Sequence, residues 1–131
     1  MTEWQRWCRQ YPDPRFSPQV GVLVAMMAYA RMTTLEAVQG LGTAELDAVT
    51  PASRNSIGTL AHIAAVDRAY QILSFGGRDL DPVADAGVLG GLTMGEEGPA
   101  PTGGRDLDSY LTDLAEARAA TLTELAGRDD A

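Results

Sequence analysis

The sequence predicts an all-α protein, an up-down helical bundle with three long helices in this chain. Three segments repeat apolar residues at the helical period, and residues that cap helices stand where these segments begin. No segment shows the alternating pattern of a β-strand, and the chain has no internal repeat. The 131 residues fit a single domain over 1–131, which is large enough to bury a core without disulfides.

The first predicted helix covers residues 17–41 and follows an N-terminal segment over 1–16. Ser17 can accept a free backbone N–H, and Pro18 fits the first helical position. Gly40 or Gly42 can adopt the left-handed conformation that ends a helix. The predicted inward stripe comprises Val20, Leu23, Val24, Met27, Ala30, Val38 and Leu41. A short helical turn is expected over 43–49.

The second predicted helix covers residues 53–75. Small polar side chains between Ser53 and Ser56 can cap it, and the Gly76-Gly77 pair ends it. Nine glycines and three prolines follow between Gly76 and Gly104, which predicts a long loop over 76–104 with a short turn near 84–89. Such loops over the end of a bundle are often lids or partner contacts.

The third predicted helix covers residues 106–126, with Asp106 as its cap and Gly127 after its end. Its inward face is marked by Tyr110, Leu111, Leu114, Ala117, Thr121 and Leu125. The acidic side chains are expected on the outer side, and these are Asp108, Asp113, Glu116 and Glu124.

Composition limits the compartment and the partners. The only cysteine is Cys8, which excludes an intrachain disulfide and indicates a reducing compartment. The first residues lack the apolar run of a signal peptide, and we expect no membrane span, so the sequence predicts a soluble cytoplasmic protein. A net charge of −8 repels phosphate backbones and anionic lipid surfaces, and we therefore expect neither nucleic acid nor membrane as a partner.

His62 is predicted to point inward from the second helix. Thr59, Val66, Ala69 and Leu73 share its side, whereas Asp67, Arg68 and Gln71 are expected on the solvated side. Alanines at positions 65 and 69 leave space beside the imidazole, which a metal or a substrate could occupy. A lone histidine in a helical core is, however, more often simply hydrogen-bonded there.

Residues 55–68, with the sequence NSIGTLAHIAAVDR, resemble the second-helix signature of the DinB-like superfamily. In that signature a polar cap precedes an apolar helix, and a histidine is followed by I/L-A-x-V-D/E. Residues 30–35 and the stretch from Gly40 to Asp47 are similar to the end of that family's first helix. The resemblance covers roughly residues 17–127.

The resemblance implies a four-helix bundle that binds a divalent metal, zinc or nickel, with His62 as the first ligand. In that family two further histidines, spaced H-x-x-x-H, lie on the last helix. Relatives use the metal to activate a low-molecular-weight thiol such as bacillithiol or mycothiol, as in thiol S-transferases and maleylpyruvate isomerases. A bound metal favours the thiolate, which is the nucleophilic form.

This chain departs from the family pattern because it contains one histidine and no H-x-x-x-H. Either it is a fragment without the last helix, or it is a shortened relative that has lost the site. Neither Asp67 nor Asp81 is assigned as a replacement ligand. The alternative function is a non-catalytic bundle that uses the space around His62, or the long loop, for binding or dimerisation.

A missing helix would also have a cost in stability. It would expose about five large apolar side chains, worth roughly 10 kcal/mol at about 2 kcal/mol each, which rivals the stability of a whole domain. We therefore expect a homodimer.

Overall fold

The structure, a computed structural model, describes residues 2, 5, 11–51, 55–100 and 103–131. These ranges hold no β-strand, which confirms the all-α prediction. Their α-helices are α1 (Pro18–Val38), α2 (Thr43–Asp47), α3 (Leu60–Tyr70), α4 (Ala86–Leu92) and α5 (Leu107–Ala126). The chain divides into two compact units, one of Met1–Gln39 with Leu122–Ala131 and one of Gly40–Thr121. The single domain and the up-down order of the helices stay predictions.

The N-terminus of α1 is capped by a side chain from the other end of the chain. Pro18 takes the first helical position, but the Ser17 side chain makes no cap hydrogen bond to the helix. Instead, Asp130 Oδ1 accepts the Ser17 hydroxyl at 2.7 Å and the backbone N–H groups of Gln19 and Val20 at 3.0 and 3.3 Å. The Ser17 hydroxyl is the largest of the influences that lower the pKa of Asp130. The cap predicted for Ser17 is therefore supplied by Asp130.

The buried side of α1 differs from the predicted stripe. The buried apolar side chains are Val20, Val24, Ala25 and Val38. Leu23 is 57% exposed and Ala30 is exposed, so these two positions were assigned wrongly. Gly21 is buried instead, because the backbone of Asp13 lies against it: a Cβ at Gly21 would stand 2.7 Å from the Asp13 carbonyl oxygen. The buried side of α1 therefore includes Gly21 and Ala25 and not Leu23.

Helix α1 is long and apolar enough to cross a membrane by length and composition. The prediction that no segment approaches a membrane span is wrong on those two criteria. Only 17% of its most apolar window is buried, and the helix lies near the N-terminus. Core helices of soluble proteins pass the same test, so this finding is weak evidence for a membrane.

Helix α3 has irregular turns at both ends. A 3₁₀ turn (Ile57–Thr59) precedes it, and a π-helical turn (Gln71–Phe75) follows it. The Gly76 N–H donates to the Gln71 carbonyl oxygen at 2.8 Å, and Gly77 then takes a φ of 62°. The helical segment therefore ends at the glycine pair, as the sequence predicted. Ser53, the first residue of the predicted helix, lies outside the described residues.

Helix α5 starts as its sequence predicts. Asp106 Oδ1 accepts the backbone N–H of Ser109 at 2.8 Å, the bond expected of a helix cap. The buried residues of α5 are Tyr110, Leu114, Ala117 and Thr121, and all four belong to the predicted inward face.

Two further regions were considered in the sequence, the segment 76–104 and the N-terminal residues. The segment predicted as a loop over 76–104 contains the seven-residue helix α4, which is longer than the predicted turn. At the N-terminus, Cys8 lies outside the described residues. Tyr11 is 43% exposed.

Candidate functional site

His62 is held by a backbone carbonyl from α4. Its ring lies in the third position of α3, and Nδ1 stands 3.0 Å from the carbonyl oxygen of Gly91. Because a carbonyl oxygen can only accept, this bond requires the proton to be on Nδ1. In the neutral imidazole, Nε2 then carries the lone pair and is available as a metal ligand or a hydrogen-bond acceptor. The side chain is half-buried.

The carbonyl reaches His62 because α4 lies very close to α3. A Cβ at Gly91 would come within 3.0 Å of the Ala65 Cβ, a separation that real Cβ atoms essentially never show. The pair of small residues therefore allows the two helix backbones to approach. The space beside the imidazole at Ala65, which the sequence left open for a ligand, is filled by the backbone of α4.

A second close contact holds α4 from another side. A Cβ at Gly90 would collide with the backbone of Pro99, and a Cβ at Gly98 would stand 2.6 Å from the Ala86 carbonyl oxygen. Helix α4 therefore lies between α3 and the segment around residues 98–99. The glycines that predict a loop are the residues that let three backbones pack together.

An ion pair fixes the entry into α4. Arg78 donates to both carboxylate oxygens of Asp85, at 2.7 and 3.0 Å, and Asp85 also accepts the backbone N–H of Asp81 at 2.8 Å. Asp85 is the residue before α4, and the hydrogen bonds from Arg78 are the largest cause of its pKa falling to about 2. Asp81 accepts the N–H groups of Val83 and Ala84 at 2.8 and 2.7 Å. Its carboxylate therefore organises a turn.

The sequence predicted that the opposite side of α3 faces solvent. In the structure, that side is instead linked to α5 by side-chain contacts. Asp67 is buried, and Arg118 Nε donates to its Oδ2 at 2.9 Å. Arg68 donates to Asp113 at 2.6 Å, which also places Asp113 in a half-buried pair instead of on the outer surface. Residues 67 and 68 were therefore assigned to the wrong environment.

Gln71 completes this link. Its side-chain amide donates to the Ala117 carbonyl oxygen at 2.9 Å and to the Thr121 hydroxyl at 3.0 Å. Gln71 begins the π-helical turn, whose wider spacing changes the direction of the side chains that follow α3. The predicted solvated position of Gln71 is wrong for the same reason as that of Asp67: partners from α5 satisfy it.

The described residues supply one candidate metal ligand, His62, and no cluster of donors. Among the described residues, no three histidine, cysteine, aspartate or glutamate side chains come together as a metal site. Asp67 and Asp85 are held by Arg118 and Arg78, and Asp81 caps a turn. His62, with Nδ1 bound to a carbonyl and Nε2 available, has the arrangement that metal-ligating histidines usually show. The residues present fit one ligand position and not a complete site.

Gly91 is the residue that sequence reasoning missed. Its carbonyl is contributed by the backbone, so no side-chain motif marks it. The signal was the Gly90-Gly91 pair next to apolar neighbours, a pattern that permits close helix packing as well as a loop.

Comparison with known proteins identifies a family to which the chain is similar. A family model described as mycothiol-S-transferase matches residues 22–131, which include α1 from its fifth residue and all the other described helices. No curated protein sequence matches the chain.

Proposed function

Because the chain belongs to the mycothiol-S-transferase family, a DinB-like family, we propose that it is a thiol S-transferase-type protein in which His62 is one ligand of a divalent metal. One observation carries the proposal. The Gly91 carbonyl accepts from His62 Nδ1 at 3.0 Å and so directs the Nε2 lone pair away from α4. A backbone carbonyl on the second nitrogen fixes both the tautomer and the ring orientation of a ligating histidine.

The remaining donors come, in this proposal, from outside the described residues. Two described carboxylates on or next to the helices that hold His62, Asp67 and Asp85, are each bound by an arginine. Zinc in a catalytic site needs three protein ligands and one open position, and nickel also favours imidazole nitrogen. His62 would supply the first of these ligands.

When bound, the metal supplies a lowered thiol pKa, so that the thiolate of a mycothiol-type substrate is available near neutral pH. The chain's own residues do the positioning. Gly91 fixes the proton on Nδ1, while the small side chains of Ala65 and Gly91 allow α4 to lie against α3.

The protein works, on this proposal, in the cytoplasm. Thiol chemistry needs a reducing compartment, and the single cysteine of the chain, Cys8, gives no intrachain disulfide. We propose a small electrophilic molecule as the co-substrate and neither nucleic acid nor membrane as a partner, since the net charge is −8.

The metal proposal is tested by replacing His62 with asparagine. The asparagine amide nitrogen takes the place of Nδ1 and can still donate to the Gly91 carbonyl, so H62N keeps the link to α4 and loses the Nε2 ligand. Protein purified without chelator is analysed for zinc, nickel, iron and manganese, and zinc affinity is measured by calorimetry. We expect bound metal in the wild type and loss of it in H62N, with unchanged helix content by circular dichroism.

If the purified protein binds no metal, a second function is favoured, that of a non-catalytic bundle. The described residues lack a three-donor cluster, which is what a non-catalytic bundle that has lost its metal site would show. Equal metal content in wild type and H62N, or none in either, would favour this second function. Transfer activity with mycothiol and added zinc, measured on the same two proteins, separates the two functions, because only the metal-dependent transferase loses turnover in H62N.

A further inference from the structure

Helix α4 is held against α3 by its backbone and not by buried side chains. Every residue of α4 is described, and the buried ones are two glycines, Gly90 and Gly91. Its larger apolar side chains are only half-buried, and these are Val88, Leu89 and Leu92. Segments that bury few apolar side chains open at a lower free energy than the rest of a protein. Helix α4 is such a segment, and it lies directly beside the imidazole of the candidate site.

The sequence of α4 also disfavours a helix on its own. Three of its seven residues are glycine, and each glycine lowers the helix equilibrium roughly fivefold relative to alanine. A helix of this length is too short to be stable by itself in water. The ion pair that precedes it, between Arg78 and Asp85, adds little because the Arg78 side chain is 52% exposed. Helix α4 therefore depends on its contact with α3.

The backbone is strained where α4 ends. Met94 has a φ of 54°, and it is the one non-glycine residue in the described part of the protein with a positive φ. It follows Thr93, the C-cap of α4, at the position that glycine usually takes after a helix. The Gly95 N–H donates to the Gly90 carbonyl oxygen at 2.8 Å, which closes this type of helix ending. A side chain in the left-handed conformation lowers the population of the closed ending about fivefold or more relative to glycine.

His62 makes the hydrogen bond that opening of α4 would break. The Gly91 carbonyl is among the last carbonyls of α4, which lack a partner within a helix, and it accepts from His62 Nδ1 at 3.0 Å. The imidazole therefore caps α4, while α4 orients the imidazole. When α4 leaves α3, Nδ1 loses its acceptor, and the space beside Ala65 that the α4 backbone fills becomes open.

We propose that α4 is a lid over the His62 side of α3 and that Met94 sets how often the lid opens. All the residues involved belong to one compact unit, Gly40–Thr121. In the closed state the Gly91 carbonyl occupies Nδ1 of His62. In the open state α4 leaves α3 and unfolds, the strain at Met94 is relieved, and Nδ1 and the Ala65 side chain are exposed to small molecules. Because the lid acts on Nδ1, its opening does not depend on a metal at Nε2.

The test compares amide hydrogen exchange in the wild type, Met94→Gly and Met94→Ala by NMR, under conditions in which the rate reports the opening equilibrium. Glycine relieves the backbone strain, whereas alanine keeps it and removes the same side chain beyond Cβ. The reporting amides are those of Leu89, Thr93 and Gly95. In the wild type we expect them to be at least about tenfold less protected than the amides of α3. Met94→Gly should raise their protection roughly fivefold, and Met94→Ala should not raise it.

Two results would overturn the lid. One is equal protection of the α4 and α3 amides in the wild type, which would mean that α4 opens only when the whole unit unfolds. The other is a Met94→Gly protein whose α4 amides are no better protected than those of Met94→Ala, since strain at residue 94 would then not set the opening.

The link to His62 is read from the exchange of its Nδ1 proton with water, measured by saturation transfer in the same three proteins. While Gly91 accepts this proton, it exchanges only when the lid opens. Met94→Gly should therefore slow its exchange by the same factor as that of the α4 amides. A role of Met94 in packing alone would leave the Nδ1 proton unchanged. Equal Nδ1 exchange in all three proteins, or a ring without a proton on Nδ1, would overturn the assignment of α4 as the lid of His62.

Discussion

Replacing Gly91 with alanine tests how the structure holds His62. A Cβ at this position would stand less than 3.0 Å from the Ala65 Cβ, while ordinary contacts begin at 3.4 Å. The backbones of α3 and α4 would therefore have to separate by more than 0.4 Å, which is 3.4 minus 3.0. The hydrogen bond between His62 Nδ1 and the Gly91 oxygen is 3.0 Å long and is lost near about 3.5 Å.

The expected loss of stability follows from three contributions. Overpacking costs about 1–3 kcal/mol, and the lost hydrogen bond costs about 1 kcal/mol. The better helix propensity of alanine offsets about 1 kcal/mol. We expect a net destabilisation of about 1–3 kcal/mol, and a fall in Tm of roughly 4 °C for each kcal/mol in a chain of this size.

The matched control is Gly87→Ala in the same helix. Gly87 is exposed and a Cβ there would meet nothing within 4 Å, so alanine should stabilise α4 by about 0.5–1 kcal/mol. Urea unfolding measures both variants, and NMR of the imidazole nitrogens reports whether Nδ1 keeps its proton. If Gly91→Ala is as stable as Gly87→Ala and leaves the His62 tautomer unchanged, the close packing of α4 does not hold the imidazole.

Three further outcomes follow from the structure. Arg118→Met should destabilise the protein by about 3 kcal/mol in urea unfolding, because it leaves the buried Asp67 carboxylate without its arginine; a change below about 1 kcal/mol would contradict this role. The pKa of Asp85 is lowered from 3.8 to about 2, mainly by Arg78, so its stabilisation is present above pH 3.8 and is lost as pH falls through 2. In Asp85→Asn the acid-induced drop in Tm over that window should shrink, and an unchanged pH profile would argue against the pair. Tyr110→Phe should be as stable as the wild type or about 1 kcal/mol more stable, because the hydroxyl is buried with no hydrogen-bond partner in the described part of the protein; thermal melts that show a clear loss would reveal a partner for that hydroxyl.

Local patterns were sufficient to predict the fold class. The apolar period of α5, the Asp106 cap before it and the Gly76-Gly77 ending after α3 are features of neighbouring residues, and the structure contains all three. Such signals depend on geometry within a few residues, which the sequence carries directly.

The faces of the helices were predicted less well, because a face depends on distant partners. Asp67 is polar and was therefore expected in water, yet Arg118, 51 positions later, makes its burial favourable. Leu23 fits the apolar period of α1, but the structure buries Gly21, against the backbone of Asp13, and leaves Leu23 exposed. Neither partner is visible from the local pattern.

Of the candidate site, the sequence predicted only one side chain, that of His62. The inward direction of His62 followed from helical spacing, and the structure makes the side chain half-buried and hydrogen-bonded. The acceptor is a backbone carbonyl of Gly91, in a segment whose glycine content predicts a loop. Tertiary packing overrides that propensity, since Gly90 and Gly91 are needed where backbones meet.

The most direct test observes both nitrogens of His62 in a long-range ¹H–¹⁵N NMR spectrum while zinc is added. With one histidine in the chain, the assignment is unambiguous. We expect the Nδ1–H tautomer before zinc, and a selective change of the Nε2 resonance on titration while Nδ1 keeps its proton. A proton on Nε2 in the free protein, or a spectrum that zinc leaves unchanged, would contradict the account.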